Sequence, residues 1–197
     1  MDWRCSICNT INHLKSPASA TELAQLSSPA FEIAATEDYI ARPPAPPAYL
    51  FVIDVTKDAI ESGFLSIICQ TLHNLITTEA IPGGERSKIA LITYDRYIHY
   101  YCLDKTLQQP LMMTCCANDP LPVPIEKLFL DLEDCQRNLL SVLESLPKAF
   151  MEIEPKISIF LHVLEKVKLF MKKGGGKVIF FQSESAFADI VLYSLFL

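Results

Sequence analysis

Three apolar runs of strand length, and the helix-period segments between them, predict an α/β fold built on a doubly wound, mostly parallel sheet. The runs are "YLFVIDV" (49–55), "KIALITY" (88–94) and "KVIFF" (177–181). None alternates apolar with polar residues, as suits strands covered by helices on both faces. Their order supports the same class. Strand, helix, strand, strand, helix, helix, strand is the pattern of an open sheet with one antiparallel member.

The elements follow along the chain. "DWRCSICNTIN" (2–12) carries a Cys-x-x-Cys knuckle, Cys5 and Cys8, behind Trp3. Residues 13–30 are rich in Ser, Ala and Pro and read as a linker. "FEIAATEDYI" (31–40) is a short strand-like piece. Arg42 to Ala48 holds four prolines, which fix φ and remove four donors, so it is a stiff connector. After the first buried strand, Ser62–Thr77 places Phe64, Leu65, Ile67, Ile68, Leu72, Leu75 and Ile76 on one side at helical spacing, with Ser62 as cap. "IPGGERS" breaks the chain before the second strand. "DR" turns tightly into "YIHYYCL" (97–103), an antiparallel third strand. "LMMT" is a further short strand and "NDPLPVP" a loop. Leu132–Leu146 and Ile157–Lys173 are the remaining helices.

Bulk properties narrow the class. Half of the 197 residues are hydrophobic, enough for one core with a small appendage. No run approaches the roughly 18 apolar residues that cross a bilayer. Met1 is followed by Asp2, Trp3 and Arg4, which is no secretory leader pattern. The net charge of −6 argues against a broad basic nucleic-acid face. Seven scattered cysteines fit a reducing cytosol better than a disulfide scaffold.

Two places could hold a metal. A tetrahedral zinc site needs four ligands, and the knuckle supplies Cys5 and Cys8. No second Cys-x-x-Cys or paired histidine occurs in the chain. Asp54, Thr56 and Asp58 stand at the carboxyl end of the first buried strand, where open sheets gather ligands, and offer oxygens suited to Mg²⁺. Von Willebrand A-type domains carry Asp-x-Ser-x-Ser there; Thr56 resembles the first serine, and Asp58 replaces the second. The other reading, which the sequence favours, is a metal-free loop with Asp54 in structural hydrogen bonds. "KKGGGK" follows a helix and precedes a strand, so it is a helix stop and not a phosphate cradle. His13, His73, His99 and His162 are scattered, and no catalytic constellation emerges.

"WRCSICNTIN", "FEIAATEDYIARPPAPPAYLFVIDVTKDAIESGFLSIICQTL", "KIALITYDRYIHYYCL" and "LFLDLEDCQRNLLSVLESLPKAF" together resemble the cargo-selecting subunit of the inner COPII coat, from Trp3 to about Gln182. The tail "SESAFADIVLYSLFL" departs from that family. The resemblance implies a partial zinc ribbon and linker over 1–27. It then implies a β-barrel strand and Pro-rich connector over 28–47, and an incomplete von Willebrand A-like trunk over 48–197. It makes Cys5 and Cys8 zinc ligands, with the companion knuckle expected upstream of Met1. It further implies a coat component, not an enzyme, in endoplasmic reticulum to Golgi transport. Its partners would be the other subunit of the coat heterodimer, cargo sorting signals and, peripherally, the endoplasmic reticulum membrane at exit sites and on COPII vesicles. An autonomous von Willebrand A-type ligand-binding module using Asp54, Thr56 and Asp58 is the alternative.

Overall fold

The computed structural model describes residues 2–5, 7–13, 38, 45–151 and 159–183, in two compact units, Met1–Pro44 and Ala45–Leu197. In the first unit β1 (Asp2–Arg4) and β2 (Ile11–His13) pair antiparallel, with Trp3 opposite Asn12. Asn9 closes the turn between them at φ 61°, a left-handed conformation that Asn tolerates. The expected linker, the barrel-strand piece apart from residue 38, and the tail beyond Ser183 lie outside the described residues.

The second unit runs β3 (Ala48–Asp54), α1 (Lys57–Glu61), α2 (Phe64–Thr77), β4 (Lys88–Tyr94), β5 (Ile98–Cys102), β6 (Leu111–Cys115), β7 (Leu130–Asp131), α3 (Leu132–Ala149), α4 (Phe160–Gly174) and β8 (Lys177–Phe181). Its sheet has the order β6-β5-β4-β3-β8, with β7 on one end of β4. The expected open α/β sheet is present. β3 pairs in parallel with both neighbours, Val52 facing Ile92 on one side and Phe180 on the other. The antiparallel part is larger than the single member expected, since β5, β6 and β7 all join that way.

Double burial explains the unbroken apolar runs. Phe51, Ile53, Ile89 and Leu91 point to one face, against α2 and α3. Leu50, Val52, Ala90, Ile92, Val178 and Phe180 point to the other, against Val163, Val167 and Phe170 of α4. Every position along such a strand is in the core, so none needs to be polar.

Two details differ from the periodicity reading. Ser62 ends α1 and its Oγ accepts from Phe64 N at 3.4 Å, while Gly63 at φ 76° takes the position before Phe64. Glycine adopts that positive φ freely, so the predicted helix begins at Phe64 and not Ser62, and a short helix that periodicity did not predict, α1, precedes it. Ile67 is 63% exposed, because α2 buries one stripe, Leu65, Cys69, Leu72 and Ile76. Two residues from Leu65, Ile67 lies about 200° further round the helix axis. The Gly run ends α4 as expected: Gly175 N donates to Met171 O at 3.0 Å, with φ 65°.

Candidate functional site

The knuckle is a hairpin turn that presents two thiols. Cys5 N donates to Thr10 O and Asn9 N donates back to Cys5 O, both at 3.0 Å, which fixes the loop between the strands. Cys8 Sγ lies 3.3 Å from Thr10 Oγ1. Hydrogen bonding from the Thr10 side chain, its backbone and then the Cys5 side chain pulls the Cys8 thiol down to about 7. A thiolate is the form that binds zinc, so this donor pair fits half of a tetrahedral site. Among the described residues, no group of three or more His, Cys, Asp or Glu could hold a metal. His13 pairs instead with Asp2 at 2.9 Å.

At the carboxyl end of β3 the three oxygen-bearing residues differ in burial and partners. Asp54 is fully buried, and both of its oxygens accept from protein donors. Oδ1 accepts from Thr56 N at 2.9 Å. Oδ2 accepts from Ser183 N at 3.1 Å and Ser183 Oγ at 2.7 Å. The carboxylate thereby ties Ser183, two residues past β8, to the end of β3. Thr56 is buried, and its hydroxyl has no hydrogen-bond partner among the described residues. Asp58 is exposed in the first turn of α1, and the nearby Lys57 faces Glu61 at 3.8 Å.

A second buried polar group sits one strand over, and sequence reasoning missed all but its histidine. Thr93 Oγ1 is 3.1 Å from His99 Nδ1 and 3.0 Å from the Tyr101 hydroxyl. Asp95 Oδ1 accepts from Tyr97 N at 2.7 Å and stands 3.9 Å from His99 Nε2. Burial lowers the His99 pKa, outweighing the attraction of Asp95, so the ring is held neutral. The available signal was period two: Thr93 on one strand, Asp95 in the tight turn that follows, and His99 and Tyr101 on the next strand. His73 lies on α2 and meets Glu144 of α3 at 3.3 Å, and His162 is exposed on α4.

The sheet and its strand order make a distinctive scaffold. The residue pattern of the Sec23/Sec24 trunk domain matches residues 44–193. The chain belongs to this trunk family. Curated relatives match most of the chain. Protein transport protein SEC24 A of Arabidopsis thaliana is 33% identical over 193 residues, 92% of this chain and 18% of that protein. Protein transport protein Sec24B of Homo sapiens is 31% identical over 194 residues, again 92% of this chain and 15% of that one. The trunk fold recurs in the crystal structure of the human COPII-coat protein Sec24c, at a TM-score of 0.67 and 23% identity, covering 91% of this chain and 26% of that chain. The chain thus spans less than a fifth of the length of these two curated relatives. No helix among the described residues is long and apolar enough to cross a membrane.

Proposed function

We propose that this chain contributes the trunk of a COPII coat component acting in endoplasmic reticulum to Golgi transport and cargo selection. The observation that carries this reading is the trunk-family match over 44–193, supported by identity to protein transport proteins across 92% of the chain. The trunk works as a rigid docking surface for the partner subunit of the coat heterodimer, on the cytoplasmic side of exit-site membranes. It performs no chemistry. Cys5 and Cys8 supply half of a zinc staple, whose binding free energy is folding free energy. The test is co-purification of the partner subunit with the tagged full chain, together with its position relative to exit sites in cells. Recovery of the partner and punctate exit-site staining support the reading; a diffuse chain that recovers no partner overturns it.

The Thr56 hydroxyl, buried and without a hydrogen-bond partner among the described residues, favours a second reading, a divalent-cation site at Asp54, Thr56 and Asp58. Against it stand the three protein donors already on Asp54. A cation bound only to the native state raises the melting midpoint by mass action. We expect melts in Mg²⁺ and in chelator to coincide; a midpoint that rises with Mg²⁺ would establish the site.

A further inference from the structure

The knuckle turn brings a hydroxyl to one of its two sulfurs. Register sets the approach: Arg4 lies opposite Ile11, and Cys5 N donates to Thr10 O at 3.0 Å, so Thr10 stands across the hairpin from Cys5. Asn9, at φ 61°, turns the chain between Cys8 and Thr10. The Thr10 hydroxyl then comes back to Cys8, with Oγ1 3.3 Å from Sγ. Thr10 thus holds both thiol residues, Cys5 through its carbonyl and Cys8 through its side chain. Neighbouring polar side chains make different contacts: Arg4 Nη1 donates to Asn9 Oδ1 at 3.4 Å, and Asn12 Nδ2 to Thr10 O at 3.2 Å.

Chemistry gives that contact a direction that depends on the metal. A free Cys8 thiol donates its hydrogen to Thr10 Oγ1. Zinc takes the thiolate, which has no hydrogen to give. The contact therefore outlasts metal binding only if the Thr10 hydroxyl turns its own hydrogen to sulfur, and a hydroxyl both donates and accepts. A bond to a charged acceptor is stronger than the neutral one it replaces. We propose that Thr10 is a positioning residue of the zinc knuckle, whose hydroxyl donates to the Cys8 thiolate, holds that ligand for the ion and withdraws charge from its sulfur. Partners of this kind behind a metal ligand orient it and tune the metal. Valine has the shape of threonine and neither donates nor accepts, whereas serine keeps the hydroxyl and loses only a methyl.

This proposal rests on the zinc-staple reading, and one experiment separates the two. The reduced, metal-free full chain is titrated with Co²⁺ at neutral pH, and the thiolate-to-cobalt charge-transfer band is followed in the near ultraviolet. The wild type should develop the band, Zn²⁺ added afterwards should abolish it, and Cys8→Ala should lose most of it. Thr10→Val should bind Co²⁺ about tenfold more weakly, while Thr10→Ser stays within about threefold of the wild type. At saturating Co²⁺ the Thr10→Val band should also lie at longer wavelength, because a sulfur relieved of its hydrogen bond gives up charge more easily. A hairpin merely loosened by the substitution would weaken binding without moving the band. If the wild type shows no band, or Cys8→Ala keeps it in full, the staple reading fails and takes this proposal with it. If the band forms but Thr10→Val matches the wild type in affinity or in band position, or Thr10→Ser does not restore both, the Thr10 proposal alone is overturned.

Discussion

Asp54 is worth more to the fold than its exposure or its charge alone would suggest, because it is a buried acceptor for three donors. Replacing it by alanine leaves Thr56 N and Ser183 N without that acceptor, at a cost of about 2–4 kcal/mol. Asp54→Asn keeps the shape but turns one acceptor into a donor, so it should cost at least about 1 kcal/mol. Urea melts of both variants check this; a loss under about 0.5 kcal/mol in Asp54→Ala would remove the clamp role. His99 supplies a pH dependence. Its folded-state pKa lies below the unfolded value of about 6.5. The unfolded chain therefore binds more protons in that range, and stability falls as pH drops below about 6.5. Midpoints of the wild type should decline from pH 7.5 to 5 more steeply than those of His99→Gln; parallel declines would exclude the ring as the source. The thiols divide in the same way. Cys8 is pulled down to about 7, whereas burial pushes Cys69 and Cys135 up to about 12. In metal-free native protein at pH 7, iodoacetamide should label Cys8 first and spare the buried pair, as mass mapping would reveal.

Elements are held by a few backbone-directed contacts at their ends. Asn138, buried in the middle of α3, donates through Nδ2 to the carbonyls of Asp104 at 2.8 Å and Leu103 at 3.3 Å. Arg137 adds a bond to Leu107 O at 2.9 Å, so α3 pins the segment that leaves β5. Asn138→Ala should cost about 1–3 kcal/mol, since it strips partners from buried carbonyls. Hydrogen exchange should then rise first over residues 103–110; uniform loss across the sheet would argue against a local pin. The start of β8 depends on Gly176, at φ 130°, where an added Cβ would stand 2.7 Å from Ala48 O. Helix stop and close strand approach therefore share one Gly run. Periodicity located α2 and α3 well, because a buried stripe leaves its spacing in the residues. It left out α1, because five residues of which only Ala59 is buried leave no stripe to read.

At the scale of the whole molecule, the sheet behaves as a two-faced wall whose parallel centre is closed and whose β6 edge is open among the described residues. Local chemistry dictated much of this. Between Lys88 and Thr93, and from Leu50 to Ile53, the two runs have no polar member, which suits strands covered on both faces. Cys5 and Cys8, with two residues between them, are close enough to share a turn. Tertiary structure alone decided the polar partners. Asp54 meets Ser183 across 129 residues because β8 lies next to β3, and local spacing carries no trace of which strands become neighbours. Thr93, His99 and Tyr101 bond to one another only once the turn at Asp95 and Arg96 folds β5 back onto β4. A side chain's class and burial follow from its own chemistry and spacing, whereas the donor it meets is set by sheet order, which the chain acquires only on folding.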